Sequence, residues 1–368
     1  MKNYAIILGI IIALVAVFAL ISCQNRASQQ PASTDAIPAV VQTNAPKWEK
    51  NATIYEVNLR HYTPEGTFAS FEAHIPRLKK MGIDVLWFMP IHPVSVKNRK
   101  GELGSPYAVA DYKDTNPDYG SMEDFKHMLK AIHDAGMYCI IDWVPNHTGW
   151  DNPWITEHPD WYTQDEDGNI IDPIDYNTGE SWGWTDVADL NYDNAEMRLA
   201  MIDAMTFWIK DVGIDGFRVD VAHGVPVDFW AQCADALYKV KPVFMLAEAE
   251  VPAIVNNGAY IVDYGWEMHH LLNEIAKTQG ANRKDGQKLV QGNLVEGSGE
   301  VADPKNALDI DKMLAKKAGE YQKGYQMQFT SNHDENSWSG TEFDLAGTIW
   351  TASPGMWKAD ISSCCFLV

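Results

Sequence analysis

From residue 53 onward, short apolar runs rich in β-branched and aromatic residues alternate with longer stretches whose apolar positions recur at helical spacing. The runs predict strands over 53–59, 83–89, 137–143, 214–220, 242–248, 258–263 and 325–331. The stretches between them predict helices near 68–80, 121–135, 194–211, 227–239, 265–278 and 305–320, with Ser121 as an N-cap ahead of the acidic turn Glu123-Asp124. Strand–helix alternation on this scale implies repeated βα units around a parallel sheet. One stretch, 148–193, breaks the rhythm. It is crowded with Asp, Asn, Pro, Gly and Trp and reads as a small subdomain inserted on the loop after the third strand.

Composition narrows the function. With 29 basic and 50 acidic residues the formal charge is −21, which repels nucleic acid phosphates and anionic lipid surfaces and suits a neutral substrate. The 14 Trp and 15 Tyr provide flat faces of the kind that stack on sugar rings, although core packing uses the same residues. Five cysteines, Cys23, Cys139, Cys233, Cys364 and Cys365, show neither metal-ligand spacing nor the density of a disulfide scaffold. Cys139 and Cys233 sit in apolar runs and are expected to be small buried hydrophobes.

The N-terminus reads as an address. An apolar run over residues 4–22 follows Lys2 and ends Leu20-Ile21-Ser22 before Cys23, which resembles a bacterial lipoprotein signal. That resemblance implies a signal peptide over 1–22, lipidation of Cys23, and a domain held at the cell envelope outside the cytoplasm. A single membrane-spanning anchor is the alternative for the same run, since about 20 apolar residues cross a bilayer. Residues 23–47, rich in Ser, Gln, Pro, Ala and Thr, are expected to form a flexible tether ahead of a domain spanning 48–368.

Four polar clusters fall at or just after the predicted strand ends: Asp142-Trp143-Val144-Pro145-Asn146-His147, Gly216-Phe217-Arg218-Val219-Asp220, Ala247-Glu248-Ala249-Glu250 and Asn332-His333-Asp334-Glu335. In a parallel barrel all strand C-termini open on one face, so residues distant in sequence converge there. In order and strand context the clusters resemble the motif regions of glycoside hydrolase family 13, the α-amylase family. Tyr107, within Gly104-Ser105-Pro106-Tyr107-Ala108-Val109-Ala110-Asp111-Tyr112, matches a further family position, and Val187-Ala188-Asp189-Leu190-Asn191 resembles another at the end of the insertion. The resemblance runs from about Ile54 to about Phe343. It implies a (β/α)8 TIM barrel that acts on α-glucans or oligosaccharides.

Carried over residue by residue, the resemblance implies Asp220 as the nucleophile, Glu248 as general acid/base and Asp334 as a third carboxylate binding sugar hydroxyls. His147 and His333 would hydrogen-bond the same sugar, Tyr107 would stack beneath it, and Asp142 would orient the set. Arg218, two residues before Asp220, shares its strand face and is expected to keep that carboxylate ionised. Glu248, less directly paired, would then hold its proton near neutrality. Glu250, two residues on, competes for the acid role.

Many relatives in the family bind calcium beside the inserted subdomain, and Asn146 and Asp189 fall at two of the ligand positions; a third position, usually His, is Gly224 here, with His223 one place early. After Phe343 the resemblance fades. A complete member has an eighth strand and an all-β C-terminal domain, so the reading expects a truncated barrel whose first and seventh strands carry unpaired edges. Two rivals to glycoside hydrolysis stay open on these residues: a non-catalytic glucan-binding lipoprotein, and a transglycosylase or isomerase using the same covalent intermediate.

Overall fold

The computed structural model describes residues 40–175, 178–279, 287–290, 293–296, 305–329, 332–335 and 364–367. Cys23, the leader, most of the tether and the greater part of the chain after Phe343 lie outside the described residues.

In chain order the strands are β1 (Thr53–Val57), β2 (Val85–Phe88), β3 (Tyr138–Trp143), β4 (His147–Gly149), β5 (Val187–Asp189), β6 (Gly216–Val219), β7 (Phe244–Ala247), β8 (Val262–Tyr264), β9 (Gln287–Val290), β10 (Asn293–Glu296), β11 (Tyr325–Phe329) and β12 (Cys364–Leu367). Seven of them, β1, β2, β3, β6, β7, β8 and β11, are the strands expected from the apolar runs, and they pair in parallel wherever they are neighbours. The barrel order is β1-β12-β11-β8-β7-β6-β3-β2. The expected unpaired edges on the first and seventh strands are therefore corrected. No parallel eighth strand is present among the described residues, but β12 fills its place by pairing antiparallel with both β1 and β11. A short tail can do this because an open edge offers unpaired N–H and C=O groups to any extended segment within reach.

The two-residue period of each strand sorts its side chains between two cores. Ile54, Val85, Trp87, Ile140, Phe244, Leu246 and Met327 fill the barrel interior. Their neighbours Val57, Leu86, Phe88, Ile141, Phe217 and Met245 face the surrounding helices in a larger core. Gly216 belongs to the inward row of β6, opposite Phe244. A Cβ there would lie 2.0 Å from the Phe244 carbonyl oxygen, so only glycine allows the two strands to approach this closely.

Helices form the outer layer. Met122–Asp134 is closed at its start by the expected Ser121, whose side chain accepts from the Asp124 N–H while the Asp124 carboxylate accepts from the Ser121 N–H. Ala195–Phe207 is capped by Asn194, whose side-chain oxygen accepts from the Glu196 and Met197 N–H groups. The helix expected over 68–80 is instead two, Phe68–Glu72 and Ile75–Lys80. Pro76, in the first turn of the second, is well placed to begin a helix and poorly placed to continue one.

Between β3 and β6 the chain leaves the barrel. Here β4 and β5 form an antiparallel pair, with His147 opposite Asp189, and carry the insertion over the C-terminal mouth.

Candidate active site

Inward rows that begin apolar end polar as they reach the barrel mouth. In β1 Ile54 is followed by Glu56, in β3 Ile140 by Asp142, in β6 Gly216 by Arg218 and Asp220, and in β7 Leu246 by Glu248. Because all these strands run in one direction, their polar ends gather at one face.

Arg218 is the hub. It is fully buried, with its guanidinium carbon 5.0 Å from the Trp87 ring centroid and 5.6 Å from that of Tyr264. Its Nη1 donates to Asp142 Oδ1 and to Asp220 Oδ1, both at 2.9 Å, and its Nε donates to the Tyr264 hydroxyl at 3.0 Å. Nη2 lies 2.8 Å from Glu248 Oε1 as an ion-pair contact. One cation thus faces three carboxylates. This corrects the expectation that Glu248 would be less directly paired: it meets Arg218 as closely as Asp220 does, and its Oε2 also accepts from the Val221 N–H at 2.7 Å.

Val221 has φ 43°, a left-handed conformation that costs a β-branched residue about 1–3 kcal/mol. That turn, immediately after Asp220, aims its N–H at Glu248.

Shared pairing changes the expected electrostatics of Asp220. Burial, and then the Glu248 carboxylate, push its carboxyl well above the usual range, while Arg218 opposes them. Arg218 favours the ionised form of Asp220, as expected, but its charge is shared with Asp142 and Glu248. Asp142 is likewise raised to about 6, by burial first, against the pull of Arg218.

A second chain of contacts reaches Asp142 from the opposite wall. Glu56 Oε1 lies 2.6 Å from His333 Nδ1, and His333 Nε2 lies 2.9 Å from the Tyr107 hydroxyl. That hydroxyl donates to Asp142 Oδ2 at 3.1 Å, where Trp87 Nε1 donates as well at 3.2 Å. Burial works against a charged His333, but the adjacent Glu56 and then Asp334 outweigh it and lift the ring to about 9. His333 is then a cation at neutral pH, donating from both nitrogens. His147 is the reverse case. Burial lowers it to about 4, so it is neutral, with Nδ1 3.1 Å from Asn146 Oδ1.

Above this network lies a cavity of about 370 Å³, whose lining includes Tyr107, His147, Asp220, Glu248, His333 and Asp334. Asp334 is half-exposed, and burial, partly offset by His333, raises its carboxyl. Asp142 and Arg218 lie beneath the lining and act on it through the groups they hold. Glu250 does not reach this cavity; Lys317 Nζ sits 2.7 Å from its Oε1 and Gln326 donates to the same oxygen at 3.0 Å.

Sequence reasoning missed Glu56, Trp87, Tyr264 and the rim pair Lys100–Asp186, whose Nζ···Oδ1 distance is 3.0 Å. A lone acid on the inward row of an otherwise apolar strand was the available signal for Glu56.

Asn146 and Asp189 are both buried, near the β4–β5 pair, but the Asn146 side chain is engaged by His147 and by the Gly224 carbonyl. Among the described residues no group of three or more His, Cys, Asp or Glu is placed to hold a metal. These residues do not by themselves make the six to eight oxygen ligands, roughly, that calcium takes.

Seven parallel strands with carboxylates and a buried arginine gathered at their C-terminal mouth define a barrel scaffold of the class that carries its active site at that face. The chain belongs to the alpha-amylase catalytic-domain family, whose description matches residues 41–290. Among solved structures it is similar to a noncanonic maltogenic alpha-amylase from Thermotoga neapolitana, 34% identical with TM-score 0.64, covering 78% of this chain and 60% of that one. It is also similar to an alpha-amylase from Lactobacillus plantarum, 29% identical with TM-score 0.62, covering 77% and 63%. A curated relative, the alpha-1,4-glucan:maltose-1-phosphate maltosyltransferase of Mycolicibacterium smegmatis, is 33% identical over 50% of this chain and 28% of its own length. The chain thus spans less than half the length of such relatives.

Proposed function

We propose that this chain is a retaining α-glycosidase acting on starch-like glucans or oligosaccharides. The observation that carries this reading is that Asp220 and Glu248 line one cavity while resting on the two arms of a single guanidinium. A retaining mechanism needs two carboxyl groups about 5–5.5 Å apart around one anomeric carbon, one charged and one protonated. Asp220 attacks that carbon while Glu248 gives its proton to the departing oxygen, leaving a glycosyl ester on Asp220. Glu248, now ionised, takes a proton from water as the water oxygen displaces Asp220.

The surrounding charges support both steps. Negative charge at the mouth favours the positively charged, oxocarbenium-like transition state. Asp334 and neutral His147 are placed to bind hydroxyls of the reacting sugar, with Tyr107 as its platform. The cationic His333 holds Tyr107 in position.

The test is turnover of soluble starch and maltooligosaccharides, with product analysis. Wild type is expected to release new reducing ends with retained α-configuration, and Asp220→Asn or Glu248→Gln to lose about 10³-fold or more in kcat. Full turnover by Asp220→Asn would overturn the nucleophile assignment, and a wild type that binds glucan without changing it would favour the non-catalytic reading. The reading extends to placement: lipidation at Cys23 would hold the domain at the cell envelope, facing the periplasm or exterior.

A further inference from the structure

Strand β7 ends at Ala247, and Glu248 stands on the segment that follows it, Glu248-Ala249-Glu250-Val251. Chain beyond a strand end moves unless it is tied, whereas a proton donor has to be held to within about 0.5 Å of its working position. Here each residue of the segment is tied. The Glu248 N–H donates to the Val219 carbonyl at 2.9 Å, the Ala249 carbonyl accepts from the Tyr264 N–H at 2.9 Å, and the Val251 N–H donates to Asp263 Oδ2 at 3.1 Å. At Glu250 the tie is the side chain, which stays out of the central cavity. Its Oε1 lies 2.7 Å from Lys317 Nζ and accepts from Gln326 Nε2 at 3.0 Å. Its Oε2 accepts from the Glu267 N–H at 3.0 Å, in the first turn of the helix Trp266–Gln279.

Lys317 belongs to the helix Ala307–Glu320 ahead of β11, and its Nζ also lies 2.9 Å from Glu267 Oε2. One ammonium thus joins that helix to the segment carrying Glu248 and to the start of a second helix. The side chains of Lys317 and Glu250 are only 12% and 17% exposed, so water and salt screen the pair less than they screen an ion pair on the surface. Burial works against the charge on Lys317, but the carboxylates of Glu250 and Glu267 outweigh it and hold the ammonium above the ordinary lysine value. Just past the end of the same helix, the Tyr321 hydroxyl donates at 2.7 Å to Asp263 Oδ2, the oxygen that holds Val251. The helix therefore grips the segment at two consecutive residues. We propose that Glu250, clamped by Lys317, is a positioning residue for Glu248 and sets where that carboxyl stands relative to the departing oxygen. This rests on the glycosidase reading above, with Glu248 as the acid. Glu250 touches no substrate in this role and carries no proton.

The test is the sensitivity of bond cleavage to the leaving group, read as kcat/KM over a series of aryl α-maltosides. An acidic phenol such as 2,4-dinitrophenol departs with little help, whereas phenol itself needs the proton of Glu248. Glu250→Gln keeps the size and an oxygen acceptor but removes the charge facing Lys317. It is expected to lower kcat/KM about tenfold or more for the phenyl maltoside and less than about twofold for the dinitrophenyl one. Lys317→Met is expected to show the same graded loss, and Lys317→Arg, which keeps the cation, to restore most of it. No loss in Glu250→Gln, or an equal loss across the series, overturns the positioning role while leaving the glycosidase reading intact. If Glu250→Gln does not fold, the series on Lys317→Met decides in the same way. A wild type that cleaves none of the maltosides removes both readings.

Discussion

At the scale of single residues, charge sharing governs this site. Arg218 serves Asp142, Asp220 and Glu248 together, and Glu56 holds a cation on His333 from the opposite wall. The Glu56–His333 pair makes a pH prediction with a definite sign. His333 stands at about 9 in the fold against an ordinary value of 6.5, so the native state binds the proton more tightly between those limits. Its stabilising contribution is full below about pH 6.5 and is lost as pH rises through about 9, by on the order of 3 kcal/mol. Glu56→Gln is therefore expected to lower Tm at pH 6 and to flatten its fall between pH 6.5 and 9, measured by thermal unfolding across that range. Parallel Tm curves for the two proteins would show that Glu56 does not hold the charge. The residues found from sequence were those at positions that match the family's motif regions; Glu56, Trp87 and Tyr264 lie outside those motifs, and an aromatic on a strand looks the same whether it packs in a core or stacks on a buried guanidinium.

At the scale of elements, the period of the apolar pattern located every parallel strand to within a few residues, and the caps at Ser121 and Asn194 lie where polar residues precede helical runs. The largest shift was in β8, expected over 258–263 and found at Val262–Tyr264. The turn residues Asn257 and Gly258 precede it, and Tyr260 and Ile261 are buried just ahead of the strand, where the Ile261 N–H donates to the Met245 carbonyl at 3.4 Å and its carbonyl accepts from the Tyr325 N–H at 3.0 Å. Gly216 gives the element-scale prediction. Gly216→Ala places a methyl group where the Phe244 carbonyl already sits, forcing β6 and β7 apart directly beneath Arg218 and Glu248. A loss of about 3 kcal/mol or more is expected, together with lost activity. An unchanged Tm would mean the two strands have more freedom than their register suggests.

At the scale of the whole molecule, the formal net charge of −21 is compatible with the neutral substrate of the proposed activity, and the apolar run before Cys23 carries the proposal for its location. Cys23→Ala, expressed in a bacterial host, is expected to move the protein from the membrane fraction to the soluble one; continued membrane retention would favour the spanning-anchor reading. What the linear order of residues determined was the repeating βα unit, the polar ends of the strands and their common direction, because these follow from periods of two and 3.6 residues that each segment carries locally. Only the tertiary structure decided who meets whom. Glu56 reaches His333 across 277 positions, Glu248 shares the arginine of a neighbouring strand, and β12 closes the barrel in the antiparallel sense. Those pairings depend on the barrel's closure and stagger, which bring distant positions within 3 Å or so of one another, and no local pattern encodes a distance across a barrel.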